Sequence, residues 1–315
     1  MTVSIIICTR NRATSLKATL LSIGKAAVPQ GSDVELLVVD NGSTDATLNV
    51  LSEASFKNVK FRHVCEPVAG LSRARNAGLS QTSGEIILFT DDDVRVPSNW
   101  IQGMCSPIAE KRAEAVAGGV VFPADIAILL ERPPYASRRY WFASTEGLDR
   151  ELPYRVVGAN MAFHRRVLEK VPQFDVELGV GALGFADETL FSEQLRAAGF
   201  RLVGAFDIAI EHHFDLSRLN GKSILEAARK MGRSSAFMHH HWSHRPFPLL
   251  VTKLVYCRLR RFWIGLTRTR GEKASGDVSD TDVRLERNLA FYREFRVQRR
   301  RPRKYPPRHE AAASR

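Results

Sequence analysis

The sequence predicts an α/β protein, a Rossmann-like and mostly parallel sheet between helices, followed by a helical, basic extension. Three observations predict it. Short apolar runs alternate with segments of helical periodicity; the runs are apolar at nearly every position rather than at every second one; and the early runs end in polar clusters. Strand–helix alternation with two-sided apolar strands means parallel strands joined by right-handed crossovers and covered on both faces. Ligands of such sheets bind beyond the carboxyl ends of the strands.

The elements follow in order. Val3–Cys8, Val34–Val39, Val59–Val64, Glu85–Phe89 and Ala115–Val121 read as strands. Ala13–Ile23, Thr44–Leu51, Leu71–Leu79 and Trp100–Ala109, between them, carry apolar residues at helical spacing. From Phe122 to Arg155, Pro123, Pro133, Pro134 and Pro153 break the pattern, so a surface flap is expected. Its Tyr135, Tyr140, Trp141 and Phe142 either stack on a ligand or plug the core. Val156–Phe163 reads as a strand, Arg165–Lys170 and Asp187–Ala198 as helices, and Arg201–Gly204 and Asp207–His212 as two short strands. Long helices are expected over Lys222–His240, Pro248–Leu266 and Thr281–Arg296, and Gln298 to Arg315 reads as a disordered tail. The resulting division is 1–216 as the sheet domain, in halves 1–121 and 122–216, then 217–297 as the helical extension and 298–315 as the basic tail.

Composition bounds the function. With 44% hydrophobic and 25% charged residues the chain can bury a sizeable core. A net charge of +12 favours polyanions, anionic membranes or acidic substrates. Cys8, Cys65, Cys105 and Cys257 are far apart, which indicates neither a zinc site nor a disulfide framework. The apolar start is too short for a signal peptide, and no run is long and uncharged enough to span a bilayer, so a cytoplasmic protein is expected.

Three polar clusters should share one sheet edge: Thr9-Arg10-Asn11-Arg12, then Asp40 to Asp45, then Asp91-Asp92-Asp93. Amides and guanidinium groups at Thr9, Arg10 and Arg12 can meet phosphate or base, or simply start the helix with Thr9 or Asn11 as cap. No G-x-G-x-x-G follows the first strand, which counts against a dinucleotide-binding dehydrogenase. In an extended chain Asp91 and Asp93 point the same way and can converge on Mg²⁺ or Mn²⁺, with Asp92 as the spacer; a solvated acidic turn is the alternative. Glu188 shares a helical face with Phe191 and Leu195 and should point toward the protein, whereas Asp187 can serve as helix cap. Ile208, Ile210 and His212 lie on one strand face, and a lone His there is most simply structural.

The stretches "VSIIICTRNR" at 3–12, "VVDNGSTD" at 38–45, "AGLSRARNAGL" at 69–79, "ILFTDDDV" at 87–94 and "ADETLFSEQLRAAGFRL" at 186–202 together resemble the family 2 glycosyltransferases. The likeness covers roughly Val3 to Phe214 and implies the GT-A nucleotide-diphospho-sugar fold. It further implies metal-dependent inverting sugar transfer to a hydroxyl of a glycan or lipid-linked glycan, in polysaccharide or glycoconjugate synthesis. By that resemblance Asp40 receives the base, Arg75 faces the diphosphate, and Asp91 and Asp92 lie near the donor. Asp93 holds the metal, with Asp91 and His212 (or His213) as further ligands. Asp40 also reads as a turn residue before Asn41-Gly42, and Arg73 as part of a solvated helix face. The family's base is the second of an acid pair, usually Glu then Asp; here the order is Asp187 then Glu188, so position selects Glu188 with Asp187 as alternate. Asn160 belongs to the acceptor-side likeness without a role of its own.

Arg258, Arg260, Arg261, Arg268 and Arg270 accompany a helix bearing Leu249, Leu250, Leu254 and Val255, and Arg293 to Arg308 is largely cationic. This suggests peripheral attachment to an anionic inner membrane face, at about 1 kcal/mol per cation, against a solvated helix and tail. His239, His240, His241 and His244 read as an exposed or interfacial helix end. No nucleic acid is expected as partner. The rival readings are a non-catalytic basic nucleic-acid-binding protein and a nucleotidyltransferase.

Overall fold

A computed structural model describes residues 1–131, 135, 141–142, 145, 155–267 and 278–307. They form two compact units, 1–176 with 187–214, and 177–186 with 215–315.

The first unit contains β1 (Thr2–Thr9), α1 (Ala13–Ile23), β2 (Asp33–Asp40), α2 (Thr47–Glu53), β3 (Lys60–Cys65), α3 (Leu71–Ser80), β4 (Ile86–Thr90), β5 (Val94–Arg95), α4 (Trp100–Ala109), β6 (Ala115–Val121), α5 (Ala124–Leu130), β7 (Asn160–His164), α6 (Asp187–Ala197) and β8 (Leu202–His212). The eight strands form one sheet in the order β3-β2-β1-β4-β7-β6-β8-β5. β5 and β7 run against their neighbours and the other six share one direction. Thr9 therefore pairs with Asp40 and Ile7 with Thr90, so the polar strand ends line one edge.

Alternate residues of each strand serve opposite layers. Ile5, Ile7, Leu36, Val38 and Leu88 pack with Leu16 and Leu20 of α1 and with Trp100 and Met104 of α4. Ile6, Leu37, Val39 and Phe89 pack with Ala74 of α3 and Phe191 and Leu195 of α6. Each such buried Val, Leu, Ile, Phe or Met side chain contributes about 1.5–3 kcal/mol. Gly78 lets α3 lie against β1, since a Cβ there would sit 2.5 Å from Ile6 Cγ2.

β5 begins at Val94, soon after β4 ends at Thr90, yet it lies four strands away in the order. Four spacings in a flat sheet cover about 19 Å, and the chain from Thr90 to Val94 reaches at most about 14 Å. The sheet must curl.

Three expectations change. The two short strands at Arg201–Gly204 and Asp207–His212 are one strand, β8, whose pairing with β6 continues through a register shift at Gly118/Gly119. The strand expected from Val156 begins only at Asn160. Much of the flap, including Tyr140, lies outside the described residues. Its Phe142 is buried, stacked on Phe214 at 4.6 Å, and takes the core role rather than the ligand-facing one.

The second unit contains α7 (Gly221–Phe237), α8 (Leu250–Thr267) and α9 (Asp280–Gln298), with a π turn at Met238–Trp242. α9 starts in a capping box, Ser279 and Asp282 satisfying each other's amides. α7 and α9 approach closely at Gly232, where a Cβ would lie 2.2 Å from the Arg287 carbonyl. The tail read as disordered is held up to Tyr305: Arg301 pairs with Glu177 at 2.6 Å, the Lys304 amide donates to His241 Nδ1, and Tyr305 packs edge-on against Trp242. His241 is buried, with Nε2 on Gln298 Oε1 at 2.9 Å, so this histidine group joins a helix end to the following chain. Residues 308–315 lie outside the described residues.

Candidate active site

The strand edge is built from loop residues that tie the strand ends together. Asn11 adopts φ 54°, and its Oδ1 accepts from the Thr44 amide at 2.7 Å while its own amide donates to Ser43 Oγ. The Asp45 carboxylate accepts from Ala13 and Thr47 amides and so caps both α1 and α2, the task expected of Thr9 or Asn11. Thr9 instead donates its hydroxyl to Asp92 Oδ2 at 2.7 Å, in a buried contact. Asp40 is buried and its Oδ1 accepts from the Ser43 amide, which is the turn arrangement of that residue. Arg10 is exposed at the same strand end.

The acid triplet divides into three environments. Asp92 and Asp93 form a turn rather than extended chain, so the alternation that would place Asp91 and Asp93 on one face does not hold. Asp92 is no spacer. It joins Thr9 to Arg12, whose Nη1 lies 3.5 Å from Asp92 Oδ1, and burial pushes its carboxyl up to about 7 against the opposing charge of Arg12. Asp93 pairs with Arg12 and, at 3.3 Å, with His212 Nε2. Burial pushes Asp93 up, but the hydrogen bond and charge of His212, then those of Arg12, outweigh it and hold the carboxyl well below its ordinary value. Asp91 faces Arg75 at 4.0 Å and is raised, first by desolvation and then by the charge of Asp93. His212 is fixed from its other side by Phe142, whose carbonyl lies 2.7 Å from Nδ1, whereas His213 turns to Glu211 at 3.2 Å.

Arg75 is the centre of the other half. Its guanidinium is not open at the edge for a diphosphate: it is buried, pairs with Asp187, and lies 3.9 Å from Glu188 and 4.0 Å from Asp91. The Phe174 ring, 5.3 Å away, covers it. Gly158 makes room, since a Cβ there would fall 2.2 Å from Arg75 Nη2. Sequence reading missed both Phe174 and Gly158 as neighbours of Arg75.

The two acids at the start of α6 are thereby made unequal. The Asp187 side chain is 3% exposed and committed to Arg75, while that of Glu188 is 28% exposed. Desolvation, then the charge of Asp187 and a hydrogen bond that the protonated Glu188 donates to it, push Glu188 up to about 8, against Arg75. Such a partly exposed carboxyl, once ionised, can accept a proton from a hydroxyl.

Asn160 is buried in a satisfied knot, with Nδ2 donating to the Gly119 and Ile208 carbonyls and Oδ1 accepting from Trp100 Nε1, each at 2.9 Å. It fastens β6, β7, β8 and α4 where the register shifts. Among the described residues no group of three or more His, Cys, Asp and Glu gathers as if for a metal. Asp93 with His212 offers one carboxylate and one imidazole, a donor pair that fits a cation whose other ligands are phosphate oxygens and water.

Comparison with known proteins bears on this site. A family model described as glycosyl transferase family 2 matches residues 4–171. The glycosyltransferase AglE of Haloferax volcanii is 33% identical over 122 residues, covering 38% of this chain and 40% of that protein. A glucosyl-dolichyl phosphate glucuronosyltransferase of the same organism is 25% identical over 187 residues, 57% and 58% of the two chains. The matches thus cover less than two thirds of these relatives. Among solved structures, the mannosyltransferase PcManGT from Pyrobaculum calidifontis, in complex with GDP-Man and Mn²⁺, superposes with a TM-score of 0.57 at 17% identity, covering 94% of this chain and 86% of that one. That likeness is one of fold.

Proposed function

The chain belongs to glycosyl transferase family 2, and from that premise we propose that it transfers a sugar, with inversion, from a nucleotide-diphospho-sugar to a hydroxyl of a glycan or lipid-linked glycan. The observation that carries this reading is the inequality of the acid pair: Arg75 consumes Asp187 and leaves Glu188 accessible with a raised pKa. Glu188 takes the proton of the acceptor hydroxyl as its oxygen bonds to the anomeric carbon. The bond from that carbon to the diphosphate breaks in the same displacement, and a nucleoside diphosphate leaves. Asp187 and Arg75 orient Glu188. Arg75, whose second nitrogen lies 4.0 Å from Asp91, joins the base to the donor edge.

The donor lies along the ends of β1, β2 and β4, and in this reading Asp40 and the loop 41–45 border the base. Asp93 and His212 would hold Mn²⁺ or Mg²⁺, which supplies charge neutralisation to the departing diphosphate. PcManGT, whose structure holds GDP-Man and Mn²⁺, supports the choice of donor class and cation without fixing either.

The test is product analysis with a panel of nucleotide sugars. Release of a nucleoside diphosphate with a glycosylated acceptor is expected. Pyrophosphate as the released product would make the protein a nucleotidyltransferase and refute the reading.

A further inference from the structure

Helix α8 is apolar on two faces. Leu254 and Cys257 are buried with Leu285 and Leu289 of α9. The opposite face carries Val251, Val255, Leu259, Phe262 and Leu266, all exposed, Phe262 at 63%. At 3.6 residues per turn these five fall within an arc of about 80°, and exposed Tyr256 and Trp263 widen it to about 140°. An outer helix face that meets only water is normally polar, and a continuous exposed apolar patch marks an interaction surface.

Cations border this ridge on both sides. Arg258 lies about 20° beyond one border and Arg260 about 40° beyond the other. Each opens into a groove where α8 meets α9. The first, of about 430 Å³, is lined by Arg258, Arg261 and Arg293 with Phe262 and Leu266. The second, of about 420 Å³, is lined by Lys253, Arg260 and Arg284 with Tyr256 and Tyr292. Neither lining contains an acid. A second copy docking through the same ridge would set arginines against arginines, and a nucleic acid would match the grooves but not the ridge. An anionic bilayer matches both: apolar side chains enter the acyl boundary, and arginines on its flanks reach lipid phosphates. Among the described residues no helix is long and apolar enough to cross a membrane, so the fitting geometry is one lying in the interface.

We propose that α8 docks this protein on an anionic membrane surface, with Val255, Leu259 and Phe262 inserted and Arg258 and Arg260 on lipid phosphates. The inference stands on the helical unit alone and is independent of the transfer reaction. It places the chain beside any acceptor that is itself lipid-borne.

The full chain is pelleted with vesicles of phosphatidylglycerol and phosphatidylcholine in equal parts, and with phosphatidylcholine alone, while sedimentation velocity reports its oligomeric state. Binding to the anionic vesicles only is expected, with a blue shift of tryptophan emission that is lost in Trp263→Phe. Arg258→Gln and Arg260→Gln should each weaken partitioning about fivefold, and Val255→Glu and Phe262→Glu each about tenfold or more. Circular dichroism checks that these surface variants stay folded, and the emission shift needs only the unaltered chain. The proposal is overturned if the folded chain stays in the supernatant with anionic vesicles, or binds both vesicle types equally. It is also overturned by a self-association that Phe262→Glu abolishes, which would assign the ridge to a second copy.

Discussion

Replacing Arg75 with Met removes one partner of a buried ion pair whose side chains are 4% and 3% exposed. The stranded Asp187 carboxylate would then have no water to return to, and loss of one member of such a pair costs about 3–5 kcal/mol. For a unit of this size 1 kcal/mol lowers Tm by roughly 2–4 °C, so a drop of about 6–20 °C follows. Urea unfolding of the full chain, followed by tryptophan emission, measures the loss. The double variant Arg75→Met with Asp187→Leu separates charge from packing: with both charges gone, about 2 kcal/mol or more should return. A loss under about 1 kcal/mol in the single variant, or no recovery in the double, would refute the placement of Arg75 as the buried counterion.

Glu188→Gln should lower kcat about 10²–10⁴-fold while nucleoside diphosphate affinity holds. Because the Glu188 carboxyl is held up to about 8, log kcat should rise with pH to about 8 and then level; a flat profile through neutrality would reject it as base. The native state binds that proton more tightly than the unfolded chain, so its ionisation costs stability as pH rises toward 8, and Glu188→Gln should be the more stable protein on the alkaline side. Asp93→Asn should abolish the tightening of nucleoside diphosphate binding by Mn²⁺ in calorimetry; unchanged tightening removes Asp93 as a ligand. Asn160→Leu strands Trp100 Nε1 and two carbonyls and should cost about 2–4 kcal/mol in urea unfolding. Ala186, at φ 72°, holds a left-handed backbone just before α6, so Ala186→Gly should stabilise by about 1 kcal/mol, read as a rise in Tm.

The first half of the sheet was legible because its signal is local. Val3–Cys8 against an observed Thr2–Thr9, and Ala13–Ile23 with identical bounds, show how far uninterrupted apolar runs and helical spacing carry. Legibility fell where a tertiary contact decides. β8 reads as two strands because the Gly204 to Phe206 stretch breaks the alternation, and only the glycine pair of β6 reveals that the pairing survives. β5 is two residues long, below any periodicity. The strand-edge acids were found from position, but their division of labour was not. Alternation assumed extended chain where Asp92 and Asp93 turn. The partner of Arg75 lies 112 residues away in sequence, beyond any spacing rule. Glu188 is selected over Asp187 by its place in the pair alone; that Asp187 is buried against Arg75 while Glu188 stays partly exposed is decided by a contact no spacing shows.

The position of β3 at the border of the sheet has a colloidal consequence. An open sheet ends in two unpaired rows of backbone amides and carbonyls, each a template for a foreign strand. One end here is the two residues of β5, which cover only Glu211 and His212 of the eleven-residue β8 and leave the rest of its outer row without a strand partner among the described residues. The other, β3, carries Lys60 and Arg62, paired with Asp33 and Glu35 of β2 across that border. A strand arriving at β3 must displace this fixed charge before it can pair, so the sheet is defended against edge-to-edge growth along that border.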